Sequence, residues 1–288
     1  MSIPVQSLEK FPNEFEFYKT YWNKKAFVVR NGVPEAVMNE LIKPEELLWL
    51  SLEEDARSRI VKRGNEQADW IVDHGPFKEE LFDTLGEENW SLLVQEVDSF
   101  HPPTNKLIPH FNFSPCWLME DIMVSYSTPG GGIGPHLDSY HVFLVQGAGK
   151  RRWKIGREAI HGKSLIENIE LEILKDEFEG DVFDVDCGDV IYVPPKFAHS
   201  GATIEASTTY SVGFVGPQLS DLFFEFGHYI EERDTLNTRY FGNELDENSA
   251  SYEISNKEVT NFRDTFKKAL DSDHFENWLK SYFKGLND

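Results

Sequence analysis

His136 and Asp138 stand two positions apart in an apolar run that continues to Gln146, and His199 follows 61 positions after the aspartate. Strand residues at i and i+2 point to the same side of a sheet, so the imidazole and the carboxylate would project into one space. Facing a core, such a pair is strongly unfavourable unless something binds it. Either the two form a hydrogen-bonded surface pair, or they hold something. A third residue favours the second reading. Gly188-Asp189 makes a turn, Val190–Val193 a strand, and Pro194-Pro195 stiffens the segment that leads to His199. Strands distant in sequence face one another across a β-barrel, so the three side chains can converge. Two imidazoles and one carboxylate on one face of a metal are the facial triad of non-haem Fe(II), which leaves positions open for a co-substrate and O2.

The next strand carries a second signal. In Lys150-Arg-Arg-Trp-Lys-Ile155, Arg151 shares parity with apolar Trp153 and Ile155, while Lys150, Arg152 and Lys154 share the other face. An inward Arg151 requires an anion, and with Asp138 engaged by metal the natural partner is a carboxylate of a small co-substrate. An acidic residue at the barrel rim is the alternative partner. In Met123-Val-Ser-Tyr-Ser127, Ser125 and Ser127 share a face and offer hydroxyls to the same carboxylate. The run Gly130-Gly-Gly-Ile-Gly134 leads into the metal segment as either a mobile lip or a plain turn. It is not a phosphate-binding fingerprint, because no helix-opening GxGxxG or GKS/T follows.

These residues need a scaffold. Short β-rich runs recur from about 118 to 216: Ile122–Ser127, His136–Gln146, Arg151–Ile155, Val182–Asp186, Val190–Val193 and Tyr210–Val215. Many short strands separated by Gly and Pro predict a sandwich or barrel. Upstream, Pro44 followed by two glutamates predicts a helix over Leu47, Leu48 and Leu50. Trp70–Pro76 reads as a strand ended by a turn, and Asn89 as the cap of a helix through Trp90, Leu92, Leu93 and Val97. After Pro217 the pattern is helical, with Leu222, Phe223, Phe226, Tyr229 and Ile230, then Phe262, Phe266 and Leu270, then Phe275, Trp278 and Leu279. Those apolar faces must pack on their own barrel or on a dimer partner.

Of 288 residues, 50 are Asp or Glu and 28 are Lys or Arg, a net charge of −22 that argues against a nucleic-acid surface. The charge suits a basic protein partner, and it also serves solubility alone. Cys116 and Cys187 form neither a CxxC pair nor a zinc spacing, as expected of free thiols in a reducing compartment. MSIPVQSLEKFPNEF lacks a basic stretch followed by an apolar core, and no apolar run approaches the ~20 residues of a membrane span. A cytoplasmic location without membrane contact is therefore expected.

NWSLLVQEVDSF, MVSYSTPGGGIGPHLDSYHVFLVQGAGKRRWKIG, GDVIYVPPKFAHSG and YSVGF together resemble the bacterial ribosomal oxygenases. These are JmjC-type, 2-oxoglutarate-dependent enzymes that hydroxylate an arginine of a large-subunit ribosomal protein, releasing succinate and CO2. WIVDHGPF upstream and HFENWLKSYF near the end extend the resemblance over most of the chain. It implies a mainly β fold with helical appendages: a double-stranded β-helix (cupin/JmjC jelly roll) with an N-terminal α/β extension and a C-terminal helical module. The divisions expected are 1–110, 111–216 and 217–288, with the last as a homodimerisation module. The resemblance further implies iron on His136, Asp138 and His199, and 2-oxoglutarate with its far carboxylate on Arg151 and Ser127. For a guanidinium substrate, Glu120, Asp121 and Tyr140 are candidate contacts. Family members carry a further C-terminal winged-helix-like domain, which a chain ending at Asp288 would have trimmed or would lack. The rival readings are the same chemistry on another protein residue or a small molecule, and a non-catalytic metal-binding cupin.

Overall fold

Period-two alternation of side chains builds the two sheets that dominate the structure, a computed structural model. It describes residues 3–64, 70–162, 164–233, 237–242 and 253–285. The strands are β1 (Gln6–Leu8), β2 (Phe27–Val29), β3 (Ser58–Arg63), β4 (Trp70–His74), β5 (Trp90–Val94) and β6 (Met119–Ser127). They continue as β7 (His141–Gln146), β8 (Lys150–Ala159), β9 (Gly180–Val185), β10 (Val190–Val193), β11 (Phe197–Glu205) and β12 (Ser207–Phe214). One sheet has nine strands in the order β1-β2-β10-β7-β12-β6-β5-β3-β4, and the other is β11-β8-β9. The mainly β fold with helical appendages, a double-stranded β-helix at its centre, is the one expected.

The alternation along β7 shows how the layers are held. Val142 and Leu144 turn inward against Trp153 and Ile155 of β8 and Ile191 and Val193 of β10. Phe143 and Val145 turn outward into a second cluster with Phe17, Leu41, Leu47, Leu107 and Phe111 of the N-terminal helices and turns. The large sheet is thus buried on both faces. That explains why β5, β7, β10 and β12 are buried at every position.

The helix expected at Pro44 is present over Pro44–Leu50, with Glu46 accepting from the Lys43 backbone N–H at 2.8 Å. Two local expectations are corrected, the helix capped by Asn89 and the strand beginning at His136. Trp90–Val94 is a strand, not a helix, paired between β3 and β6. Asn89 has φ 67°, a left-handed turn conformation and not the extended one an N-cap adopts. A short buried apolar run has no periodicity that separates helix from strand. His136 to Tyr140 precede β7 instead of belonging to it, and His136 makes only isolated bridges to Ile173 and His199. The glycine run is a pinned turn: the N–H of Gly130 donates to the Thr203 carbonyl and the N–H of Thr203 to the Gly131 carbonyl.

The chain divides into two compact units, Met1–Val215 and Gly216–Asp288. Strands β1 to β5 extend the same sheet as the barrel strands, so the residues before 110 belong to the first unit. The second unit holds helices Leu219–Glu231, Asn256–Leu270 and Asp273–Gly285. Phe226 packs on Phe275 and Trp278, with ring centroids 5.0 and 4.9 Å apart. Leu219, Phe223, Phe224 and Phe266 are each more than half exposed. Among the described residues no helix is long and apolar enough to cross a membrane.

Candidate active site

The segment carrying His136 and Asp138 is not a strand, yet it keeps the alternation of one. His136 and His199 exchange backbone hydrogen bonds, N to O at 3.0 Å and 3.1 Å, and the Lys196 N–H donates to the Asp138 carbonyl at 2.8 Å. Leu137 packs outward with Leu165, Leu174, Phe178 and Ala198. Its two neighbours therefore face the cavity between the sheets. A register shift between Phe197 and His199 turns the second histidine onto the same side.

The ring orientations decide what these side chains can do. Nδ1 of His136 lies 2.9 Å from the Gly134 carbonyl oxygen, and Nδ1 of His199 lies 3.1 Å from that of Phe197. Each Nδ1 therefore carries its proton and donates it to a carbonyl, leaving the Nε2 lone pair free. Nε2 of His199 is 3.3 Å and Nε2 of His136 3.9 Å from the Asp138 carboxylate. One ligand atom from each of the three residues falls within 4.8 Å of the others. Burial, with His199 beside it, lowers the His136 pKa to about 4, so the ring is a neutral donor at physiological pH. Burial alone would raise the Asp138 pKa, but its closeness to His199 (Nε2 at 3.3 Å), to His136 and to Arg59 outweighs burial and shifts it below the ordinary carboxylate value. Two imidazoles that each turn Nε2 toward a carboxylate fit a divalent metal.

The same cavity, about 650 Å³, contains Arg151. Arg151 is 3% exposed, with its Cζ 4.8 Å from the centroid of the Trp153 ring. Nη1 donates to Thr209 Oγ1 at 3.1 Å, and Nε has no acceptor among the described residues. Burial pushes its pKa down to about 10, which leaves it protonated at neutral pH. Ser127, fully buried across from it, shares a 2.7 Å hydrogen bond with Ser91 of β5. A cation with an unused N–H, in a chamber of hydroxyls, fits the far carboxylate of a small dicarboxylate.

A family model of the JmjC domain matches residues 106–222. Over 269 residues the chain is 35% identical to the ribosomal protein uL16 3-hydroxylase of Escherichia coli, covering 93% of this chain and 70% of that one. Over 207 residues it is 39% identical to the "Probable ribosomal oxygenase" of Haemophilus influenzae, covering 72% and 50%. The chain belongs to the JmjC-type ribosomal oxygenase family. The Escherichia coli ribosomal oxygenase YcfD in complex with cobalt and 2-oxoglutarate superposes with a TM-score of 0.78 at 34% identity, over 94% of this chain and 71% of that one. Its complex with cobalt and succinic acid gives 0.76 at the same identity and coverage.

Within this ribosomal oxygenase the expected substrate contacts are dispersed. Tyr140 lines the cavity, and burial beside Asp138 raises its phenol pKa. Asp121 lies on the same face of β6 as Met123 and Ser125, where it accepts a 3.1 Å hydrogen bond from the Glu96 N–H. Burial raises its pKa. Glu120 is exposed on the opposite face. Neither Glu120 nor Asp121 lines the cavity. Residues not singled out from the sequence do line it: Arg59 of β3, and Glu170 and Glu172 from the long β8–β9 connection. Glu170 also bridges to Nε2 of His74 at 2.7 Å. Arg59 had a signal, since it shares parity with the buried Val61. The two glutamates had none, because their segment is irregular.

Proposed function

We propose that this chain is an Fe(II)- and 2-oxoglutarate-dependent oxygenase that hydroxylates an arginine side chain of a large-subunit ribosomal protein. The observation that carries the reading is the shared cavity: three convergent metal donors face the same space as a buried arginine with an unused N–H. YcfD, bound to cobalt and 2-oxoglutarate or succinic acid, is the solved relative that supports it.

In this reading His136, Asp138 and His199 hold iron, while Arg151 and Ser127 hold the far carboxylate of 2-oxoglutarate. Iron with 2-oxoglutarate and O2 would supply the oxidising power for inserting oxygen into a C–H bond, with succinate and CO2 as co-products. The protein's own part is orientation. The Nδ1–H bonds to the Gly134 and Phe197 carbonyls fix both imidazoles, and the Trp153 ring supports the guanidinium. The apolar wall of Leu93, Val142 and Leu144 keeps bulk water from the reacting centre.

A substrate guanidinium would enter beside Glu170 and Glu172 and lie against the Tyr140 ring, which aims its methylenes at the metal. Glu120 and Asp121, further out on β6, would meet the rest of a basic segment. A ribosomal-protein substrate carries a cytoplasmic location with it. The exposed aromatic faces of the second unit support a homodimer, in which they would be covered.

The test is CO2 or succinate release from 2-oxoglutarate with Fe(II), with and without a basic ribosomal-protein peptide, in wild type and His136→Ala. Peptide-stimulated turnover that disappears in the variant is the expected result, with a product 16 mass units heavier on an arginine. Turnover that no peptide stimulates would move the substrate to another residue or a small molecule. Bound metal without any turnover would leave a binding cupin.

A further inference from the structure

His199, Gly201 and Thr203 occupy alternate positions on β11, and Thr203 pairs with Arg151 across the small sheet. Gly201 therefore lies between the histidine of the metal triad and the arginine, on the strand face that carries His199. It also lies hard against both the cation and its aromatic support. A Cβ built on Gly201 would fall 2.7 Å from Arg151 Nε and 2.9 Å from Cζ2 and Cη2 of Trp153. Gly132 closes the wall from behind: its Cβ would meet the Gly201 carbonyl oxygen at 2.2 Å and Arg151 Nη2 at 3.7 Å.

No conformational demand explains the glycine at 201. Its φ is not in the left-handed region, and it sits within a paired strand, where glycine is ordinarily unfavourable. What the site demands is space. Trp153 is 5% exposed and packs with Val142, Leu144 and Ile155, and Arg151 Nε is the nearer of the two contacts, so a methyl at 201 would displace the guanidinium. The backbone wall blocks retreat, which leaves the cavity as the direction of escape.

Building on the assignment of Arg151 to the far carboxylate of 2-oxoglutarate, we infer that Gly201 is a specificity-determining residue for the co-substrate. Its missing side chain seats the Arg151 guanidinium at full depth, and that depth sets how long a dicarboxylate fits between the arginine and the metal donors. A methyl at 201 shortens the span, so it penalises a five-carbon 2-oxo diacid more than a four-carbon one.

Isothermal titration of the Zn(II)-loaded protein with 2-oxoglutarate and with oxaloacetate, one methylene shorter, tests this without turnover. The expected result for Gly201→Ala is at least a twentyfold loss of 2-oxoglutarate affinity, with the preference over oxaloacetate reduced at least tenfold. Gly201→Ala in a Trp153→Phe background, read against Trp153→Phe alone, removes the Cζ2 and Cη2 contacts and keeps the one to Arg151, so the same shift is expected where the single variant folds poorly. Circular dichroism identifies the folded variants. Unchanged affinities, or equal losses for both diacids, would overturn the proposal. A wild type that binds neither diacid, or an Arg151→Ala variant that binds 2-oxoglutarate normally, would overturn the underlying assignment instead.

Discussion

At the scale of single residues, burial has tuned one histidine outside the cavity at least as strongly as His136 within it. His141 of β7 is 6% exposed, stacks on Trp22 with ring centroids 3.4 Å apart, and its Nδ1 lies 2.8 Å from the Tyr192 hydroxyl. Burial lowers its pKa to about 3. Below about pH 6.5 the unfolded chain binds a proton that the folded chain refuses, so this residue erodes stability as pH falls through that window. His141 alone should lower the unfolding free energy by about 2 kcal/mol between pH 7.5 and pH 5. Urea unfolding of wild type and His141→Gln at both values checks this. The wild type should lose more than the variant by that amount, and equal losses would show that the residue is not the source. Ser91 acts on a finer scale. Its hydroxyl bonds Ser127, so Ser91→Ala should weaken 2-oxoglutarate binding severalfold and leave the melting temperature within about 2 °C. Titration calorimetry and a thermal melt read the two separately.

At the scale of elements, β5 links the N-terminal extension to the site. It pairs with β3 on one side and β6 on the other, placing Leu93 on the cavity wall and Leu92 in the outer core. Leu92→Ala should cost about 3 kcal/mol of unfolding free energy through the cavity it leaves. It should do so with little change in co-substrate affinity, because the side chain points away from the site. A loss of affinity in a variant that stays fully folded would show that the two faces of the sheet are mechanically coupled. The pinned glycine turn illustrates the same economy: two hydrogen bonds to Thr203 lock Gly130 and Gly131 against β11.

At the scale of the whole molecule, a net charge of −22 should govern how the enzyme meets a basic substrate. Long-range attraction is screened beyond about 10 Å at 0.1 M salt, so the KM for a basic peptide should rise severalfold between about 50 and 300 mM NaCl. Affinity for 2-oxoglutarate, held against a buried arginine, should change much less. A peptide KM indifferent to salt would exclude electrostatic capture. The second unit leaves Phe223 and Phe224 exposed, and the dimer proposed from such faces predicts twice the 33.2 kDa chain mass in sedimentation. Phe223→Glu with Phe224→Glu should return the monomer mass, and a monomeric wild type would end that proposal.

The sequence by itself determined whatever depends on period and residue chemistry. Alternation marked Arg151 as the inward cation of its strand, and the spacing of His136, Asp138 and His199 marked three metal donors. Pro44 and its glutamates marked a helix start. These features are local, because the strand repeat and the first turn of a helix are set by near neighbours. What only the tertiary structure decided is which distant residues share a space. Trp90–Val94 is a strand because β3 and β6 flank it, and no feature of that run excludes a helix. His136 is fixed by a backbone pair with a residue 63 positions away, although its own segment lies outside β7. Parity put Arg59 on the face of Val61, but only the pairing of β3 turns that face to the cavity, and Glu170 reaches it from an irregular connection that no local pattern encodes. Burial and pairing free energies belong to contacts, and contacts between distant segments exist only once the sheets have closed.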